Sequence, residues 1–553
     1  MRYVITNEDK EIVYYTSNYK YRIYIVDFNL NHLDEIEGIS SIGTYSIDSE
    51  STTRRTVSMT IELDSQYRTD DPIEKRLYSW IGYSFLLQIG LENHITGDYK
   101  WYDCGYYMIT ESNTSYNATT NSLTTNLADW FSTLDGTRNG QVGGAPVIEI
   151  PNIVDGKEVA IKTAIINLIT SETKFKNYIV SDVGEYYGMQ QNNLGYLQYR
   201  EDNPLWDKLP YTLEYEAGCL VSDMLIEMRD LYPNYEMYFD VYGNFCTNLI
   251  PSNIYDVVIL DNDFLQSILV SDDTESVTYD INSIKNVTEV FGAIYEVDRY
   301  ATETSFSDNT YSLTLANYEA YSSNELIALV ATDMNGETTS FRINELDVLP
   351  LYKEFTTDYI SEETIKTGET YIVRIKKVNG TYVAYFLGQY QPHALCVLTA
   401  DEEDPTYNKS YFAKKYNCNE RDITFRVESE SPFTIQKLGE ILDVKIGDEF
   451  DNILSSSVAT ENAIYQNKIS SSMNDVVTIT TKMMPFVDVN IKASYKKQQD
   501  DEVKEYIVKS VEHNLDSLTT TLTMYRLYPL YTSDRLLSAD DYILQDSNGL
   551  YLT

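Results

Sequence analysis

The sequence predicts a mainly β protein with α+β character: two related small β barrels, one α+β domain and an inserted β module. Three observations carry this. Short apolar or alternating segments, punctuated by Ser, Asn and Asp, crowd both ends of the chain. Helical spacing of apolar residues is confined to a few stretches, chiefly within 152–255 and after Val458. A hairpin near the C-terminus also has an echo near the N-terminus.

The C-terminal stretch, Val458 to Leu530, shows the grammar best. Val458, Tyr465, Ile469 and Met473 fall on one helical face. A strand over Asp475–Met484 is broken by Pro485 and followed by Phe486–Tyr495. A hairpin then has arms Glu505–Val511 and Ser517–Tyr528. On the second arm Leu518, Leu522 and Met524 point one way and Thr519, Thr521 and Thr523 the other, the pattern of a half-buried antiparallel sheet. The strings Asp103–Ser112 and Ser122–Phe131 repeat this order: a Tyr-rich strand, a polar turn, then a Ser-Leu-Thr-Thr strand. Met108-Ile109 stands where Ile507-Val508 stands. Either the chain contains a distant duplication, or two Thr-rich hairpins look alike by chance.

Residues 1–135 read as a small barrel or sandwich, taken as the first barrel, with strands at Glu11–Tyr15, Tyr21–Val26, Arg54–Leu63 and Tyr83–Leu91. Gly136–Pro151 is a Gly/Pro-rich linker. An α+β domain spans 152–255. There Asp155-Gly-Lys-Glu158 fits a capping box for a helix carrying Ile161, Ile165, Leu168 and Ile169. A second helix carries Leu220, Met224, Met228 and Leu231, stops at Tyr232-Pro233, and leads into a hairpin over Tyr235–Pro251. The second barrel is expected from 256–299 and 441–531, interrupted by a β module at 300–440. Residues 532–553 form a polar tail.

Composition excludes several functions. A length of 553 residues gives a prior of three to four domains. The formal net charge of −43 argues against a nucleic-acid binder, which needs a basic patch, and against docking on anionic membranes. The 50 tyrosines supply broad amphipathic area suited to protein contacts or sugar stacking. Cys104, Cys219, Cys246, Cys396 and Cys418 are odd in number and widely spaced, which fits reduced, mostly buried thiols and neither a disulfide framework nor a zinc site. No charged-then-apolar leader follows Met1 and no 18-residue apolar run occurs, so no membrane insertion is expected.

No motif for phosphate binding, zinc hydrolysis, a nucleophile elbow or an EF-hand is present. His32, His94, His393 and His513 stand at no ligand spacing and read as structural or surface residues. Asp261 and Asp263 could form a metal pair or cap a strand-entry turn. Asp401-Glu-Glu-Asp404 could hold calcium or form a solvated turn. No catalytic, cofactor or metal residue is therefore assigned, no cofactor is expected, and the chain is not expected to be an enzyme.

Four strings in order carry a resemblance: Arg54-Arg-Thr-Val-Ser-Met-Thr-Ile; Tyr232-Pro-Asn-Tyr-Glu-Met-Tyr-Phe-Asp-Val-Tyr-Gly-Asn-Phe245; Ile284-Lys-Asn-Val-Thr-Glu-Val-Phe-Gly292; and Pro485-Phe-Val-Asp-Val-Asn with Thr523-Met-Tyr-Arg-Leu-Tyr-Pro529. With them the chain resembles the baseplate hub proteins of phage tails and phage-like contractile particles, related to the hub part of tail-associated lysins. The resemblance implies tail-tube-like barrels, two per subunit, in a homotrimer whose pseudo-sixfold ring joins a tail tube or distal tail protein to a central spike or tail fibres. It also implies a virion protein assembled in the bacterial host cytoplasm, with DNA passing through without specific binding. The insert at 300–440 departs from the minimal pattern. Two rivals remain: a receptor- or carbohydrate-binding tail protein, and a cell-wall hydrolase.

Overall fold

A computed structural model describes residues 3–527 apart from 17, 37–38, 63–81, 111–114, 118, 121, 182–188, 192–196, 200–207, 210–211, 231–234, 252–256, 272–273, 293, 295–296, 302, 354–355, 363, 379, 430, 448–449, 451–452, 454–455 and 472–473. Tyr232-Pro233, Met473, most of the loop at 185–199 and the 532–553 tail lie outside the described residues.

The fold is mainly β with several sheets, as the sequence predicts. One 14-stranded sheet gathers both ends of the chain. Its strands are β1 (Tyr19–Val26), β2 (His32–Glu35), β3 (Ile39–Asp48), β4 (Arg55–Glu62), β5 (Ser84–Glu92), β6 (Tyr99–Ile109), β7 (Ser115–Asn117), β8 (Ser122–Asp129), β9 (Val258–Leu260), β10 (Ser276–Asp280), β11 (Asn474–Lys482), β12 (Lys492–Tyr495), β13 (Lys504–Asn514) and β14 (Thr519–Arg526).

Two sets of six strands share one order. The N-terminal set runs β3-β4-β8-β6-β5-β1, and the C-terminal set runs β10-β11-β14-β13-β12-β9. β7 continues β6 along β8, and β2 is an extra edge on β1. Registers match as well. The two hairpins close at Asn117↔Ser122 and Asn514↔Thr519, and counting back from them Glu62↔Ser122 answers to Lys482↔Thr519. Thr60 and Thr124 then meet across the strands with hydroxyl oxygens 3.1 Å apart, and their counterparts Thr480 and Thr521 meet at 3.3 Å. Tyr107 and Tyr506, at matching places in the two ladders, are both fully buried. The echo is thus a structural repeat. It breaks at the sixth strand, where β1 pairs antiparallel with β5 but β9 pairs parallel with β12.

The two sets share a single core that runs from Ile23, Ile47, Phe85 and Tyr107 to Val477, Met484, Val508 and Met524. Helix Asn7–Tyr15 closes one side, burying Ile12 and Val13. A strand was expected over Glu11–Tyr15. A complete capping box decides for helix: the Asp9 N–H donates to Thr6 Oγ1 at 3.2 Å and the Thr6 N–H to Asp9 Oδ2 at 2.8 Å.

Between the sets lies an α+β unit. Helices Ile161–Glu172 and Val221–Asp230 pack with a three-stranded sheet of Tyr178–Val180, Phe245–Leu249 and Tyr235–Phe239. Part of the expected linker belongs to this unit, since Val147–Ile150 pairs with Leu213–Glu216. The expected capping box at Asp155–Glu158 is instead a hairpin turn between Ile153–Val154 and Lys157–Glu158. Asp155 and Gly156 take φ of 52° and 76°, the two-residue turn that Asp-Gly favours. The helix starts at Ile161, with Ala160 at its N-cap and no side-chain cap bond.

The chain leaves the C-terminal set after β10 and returns at β11. In between, Val287–Phe291, His393–Thr399, Ile423–Val427 and Leu442–Lys445 form one four-stranded sheet, backed by helix Ser456–Ser470. The expected limits at 300 and 440 run through this sheet. Nested inside it is an eight-stranded sheet, Arg299–Tyr300 to Thr381–Gln389, with its own core. This module enters and leaves at adjacent points, where the Gly292 N–H donates to Pro392 O at 2.8 Å. A side chain at Gly292 would strike the Ile453 carbonyl oxygen, with a Cβ only 2.4 Å away.

Candidate functional site

The most elaborate polar constellation lies where the two sets meet the α+β unit. β3 pairs antiparallel with β13 from Thr44↔Asn514 to Asp48↔Ser510, making one sheet of two sets. Tyr45 stacks on its cross-strand partner His513 with centroids 4.8 Å apart. His513 is fully buried and its Nδ1 shares a hydrogen bond with Thr520 Oγ1 at 2.9 Å. Burial holds this imidazole at about 3, well below its ordinary value.

Beside the join sit two buried arginines. Arg54 pairs with Glu236 of the α+β unit, its guanidinium 4.1 Å from the Tyr238 ring centroid. Arg55 donates to Phe239 O at 2.5 Å and to Asp488 Oδ2 at 2.6 Å. Asn490 Nδ2 donates to Glu236 at 2.7 Å, and Lys509 Nζ to Asn490 Oδ1 at 3.2 Å. Asp129 accepts from the Arg55 N–H and the Phe131 N–H, both at 3.0 Å. Burial pushes its carboxyl up to about 6 despite the nearby Arg55 charge. Burial lowers the Lys509 ammonium, against the pull of Glu50 and Glu236. The network therefore clasps three parts of the chain: β4 and Asp129, the Tyr235–Phe239 strand, and the 488–490 turn with β13. A cavity here, lined by Tyr45, Arg55, Tyr102, Phe486 and Asp488 among others, measures about 20 Å³, room for one water. It is a structural clasp and has no room for a substrate.

The residues weighed for chemistry are dispersed. Asp261 caps helix Asn262–Ser267, accepting from the Phe264 N–H at 2.8 Å, and is bonded by Lys10 Nζ at 2.5 Å. Partial burial would raise this carboxyl, but Lys10 and the Phe264 N–H hold it below the usual range. The strand-entry turn expected here is thus a helix cap that ties the two sets together. In the 401–404 loop Asp401 accepts from the Glu403 N–H at 2.9 Å and Asp404 from the Thr406 N–H at 2.8 Å. These are self-capping turns. His32 lies against Tyr24, His94 against Tyr15, and His393 meets Glu289 at 3.0 Å. All five cysteines are free, and burial pushes the Cys396 thiol up to about 12. Among the described residues no three His, Cys, Asp or Glu side chains are grouped to hold a metal, and no helix is long and apolar enough to cross a membrane. Sequence reading found no part of the clasp. Its one signal is Arg54-Arg55 inside an apolar strand pattern, where buried charge demands partners.

A family model described as a domain of unknown function, DUF5048, matches residues 430–531. No curated protein matches the chain. Among solved structures, the chain is similar to the 43 kDa tail protein of prophage MuSo2 from Shewanella oneidensis, at 9% identity and a TM-score of 0.39 over 92% of this chain and 98% of that one. It is similar to prophage tail protein gp18 from Listeria monocytogenes EGD-e at 7% identity and 0.40, over 91% and 94%. It is also similar to a tail protein from Neisseria meningitidis MC58 at 8% and 0.42, over 92% and 97%. These are loose likenesses; two of the proteins are prophage tail proteins and the third is a tail protein.

Proposed function

We propose that the chain is a structural hub of a phage or phage-like baseplate or tail tip, acting by assembly and not by catalysis. One observation supports this most: a single chain repeats a six-strand arrangement, in the same order and register, and joins the two copies edge to edge into one sheet. A protein built this way presents two quasi-equivalent positions per subunit. Three subunits would then offer six positions to a sixfold tail tube on one side and three to a spike or fibre on the other. The formal charge of −43 fits a lumen that repels DNA and lets it slide.

Negative-stain electron microscopy of the purified chain tests this. Threefold rings with six lobes are expected, and single elongated particles would overturn the reading. The second reading, a receptor- or carbohydrate-binding tail protein, is favoured by the self-contained module around 299–389, which exposes Tyr300 and Tyr359. A glycan screen on that module, with binding lost on its removal, would support it.

A further inference from the structure

Each set begins its strand order with β3 or β10, and the first arm of its hairpin is β6 continued by β7 in one set and the single strand β13 in the other. Within the chain, β3 of the first set lies on β13 of the second. The reciprocal join, β10 on β7, is not made within the chain: among the described residues β10 pairs only with β11, and β7 only with β8. Among the described residues both strands therefore have one unpaired edge, on the side where their counterparts are covered.

The matching registers say what should lie on each edge. Aligning the hairpins sets β7 against the end of β13, so Ser115, Tyr116 and Asn117 answer to Glu512, His513 and Asn514. Aligning β11 with β4 sets Val277, Thr278 and Tyr279 against Tyr45, Ser46 and Ile47. Burial differs as an uncovered edge requires. Ile47 is 1% exposed beneath its neighbour, whereas Tyr279, on the same face, is 50% exposed, its hydroxyl accepting from Lys497 Nζ at 3.1 Å.

We infer that the β10 edge is an interface for the β7 edge of a second copy of this chain. The pairing is antiparallel, with Ser276, Val277 and Thr278 opposite the partner copy's Asn117, Tyr116 and Ser115. It is strand addition to an exposed edge, satisfying backbone groups that the isolated chain leaves to water. The interface is heterologous, so it closes only if the rotation does. Closure at three copies rests on the hub reading above; the edge pairing itself does not.

Thr278→Cys with Ser115→Cys tests it in the full chain, because both positions are exposed and lie opposite each other only across two copies. Ser46→Cys with Glu512→Cys is the matched control, opposite each other within one chain. Under mild oxidation the control should close an intrachain disulfide. The test pair should give a covalent trimer on non-reducing gels, and neither single variant should cross-link. Rings without a cross-link would overturn the edge pairing and leave the hub reading intact. A cross-linked ladder beyond three would keep the pairing and remove threefold closure. Monomers without a cross-link, alongside an oxidised control, would overturn both.

Discussion

His513 shows how one side chain can tie pH to the join. Its folded pKa lies far below the ordinary value of 6.5, so the folded state binds fewer protons than the unfolded one between about pH 3 and pH 6.5. Its contribution is present above pH 6.5 and is lost as pH falls, by up to about 1.4 kcal/mol per pH unit. Asp129 works the other way over about pH 4–6, since its raised pKa favours the folded state at the lower pH. His513→Phe keeps a ring against Tyr45 and removes the proton site. Its urea midpoint should decline less steeply than that of the unaltered chain between pH 6.5 and 4.5. Equal slopes would place the acid sensitivity elsewhere. None of this was legible beforehand. His513 reads only as a structural or surface residue beyond the expected end of its hairpin arm at Val511, whereas the strand runs on to Asn514; Arg55 meets Asp488 across 433 positions, beyond the reach of any local pattern.

At the scale of elements, alternation was a good guide where a strand has one wet face. β14 buries Leu522 and Met524 and leaves Thr519, Thr521 and Thr523 partly exposed, as its pattern predicts, but Leu518 falls in the turn before it, half-buried with φ 55°, and Thr520 takes the inward place. It failed where two signals overlap. Asp155-Gly156 is both a plausible helix start and a strong hairpin turn, and the turn wins because both residues accept positive φ. The following helix is left with Ala160 as an N-cap that offers no side-chain acceptor. Ala160→Asp should therefore stabilise that helix by roughly 1 kcal/mol. Slower amide exchange at Ala164, Ile165 and Leu168 would show it, and unchanged exchange would mean the backbone there is held by packing alone.

Across the whole molecule, insertions are nested rather than strung in line. The four-stranded sheet interrupts the C-terminal set between β10 and β11, and the eight-stranded module interrupts that sheet in turn. Arg421 links the two layers through Glu369 and Thr367 O. Because Gly292 and Pro392 are hydrogen-bonded neighbours, replacing 293–391 with Asn-Gly should leave the remaining fold and any ring intact, as judged by circular dichroism and electron microscopy. Collapse of both would mean the module braces the ring. The nesting was hidden from sequence reading because a sheet whose strands come from both sides of an insert looks, residue by residue, like two unrelated stretches.

The β3–β13 ladder has one more consequence. Main-chain amides and carbonyls make the join, and these are the same whatever side chains they carry. The two halves could accordingly diverge without changing the angle between them. One half now holds Arg55 where the other holds Asp475, and Tyr45 where the other holds Val277. That freedom to drift explains why so faint an echo survives in the strings of a chain whose backbone still repeats itself.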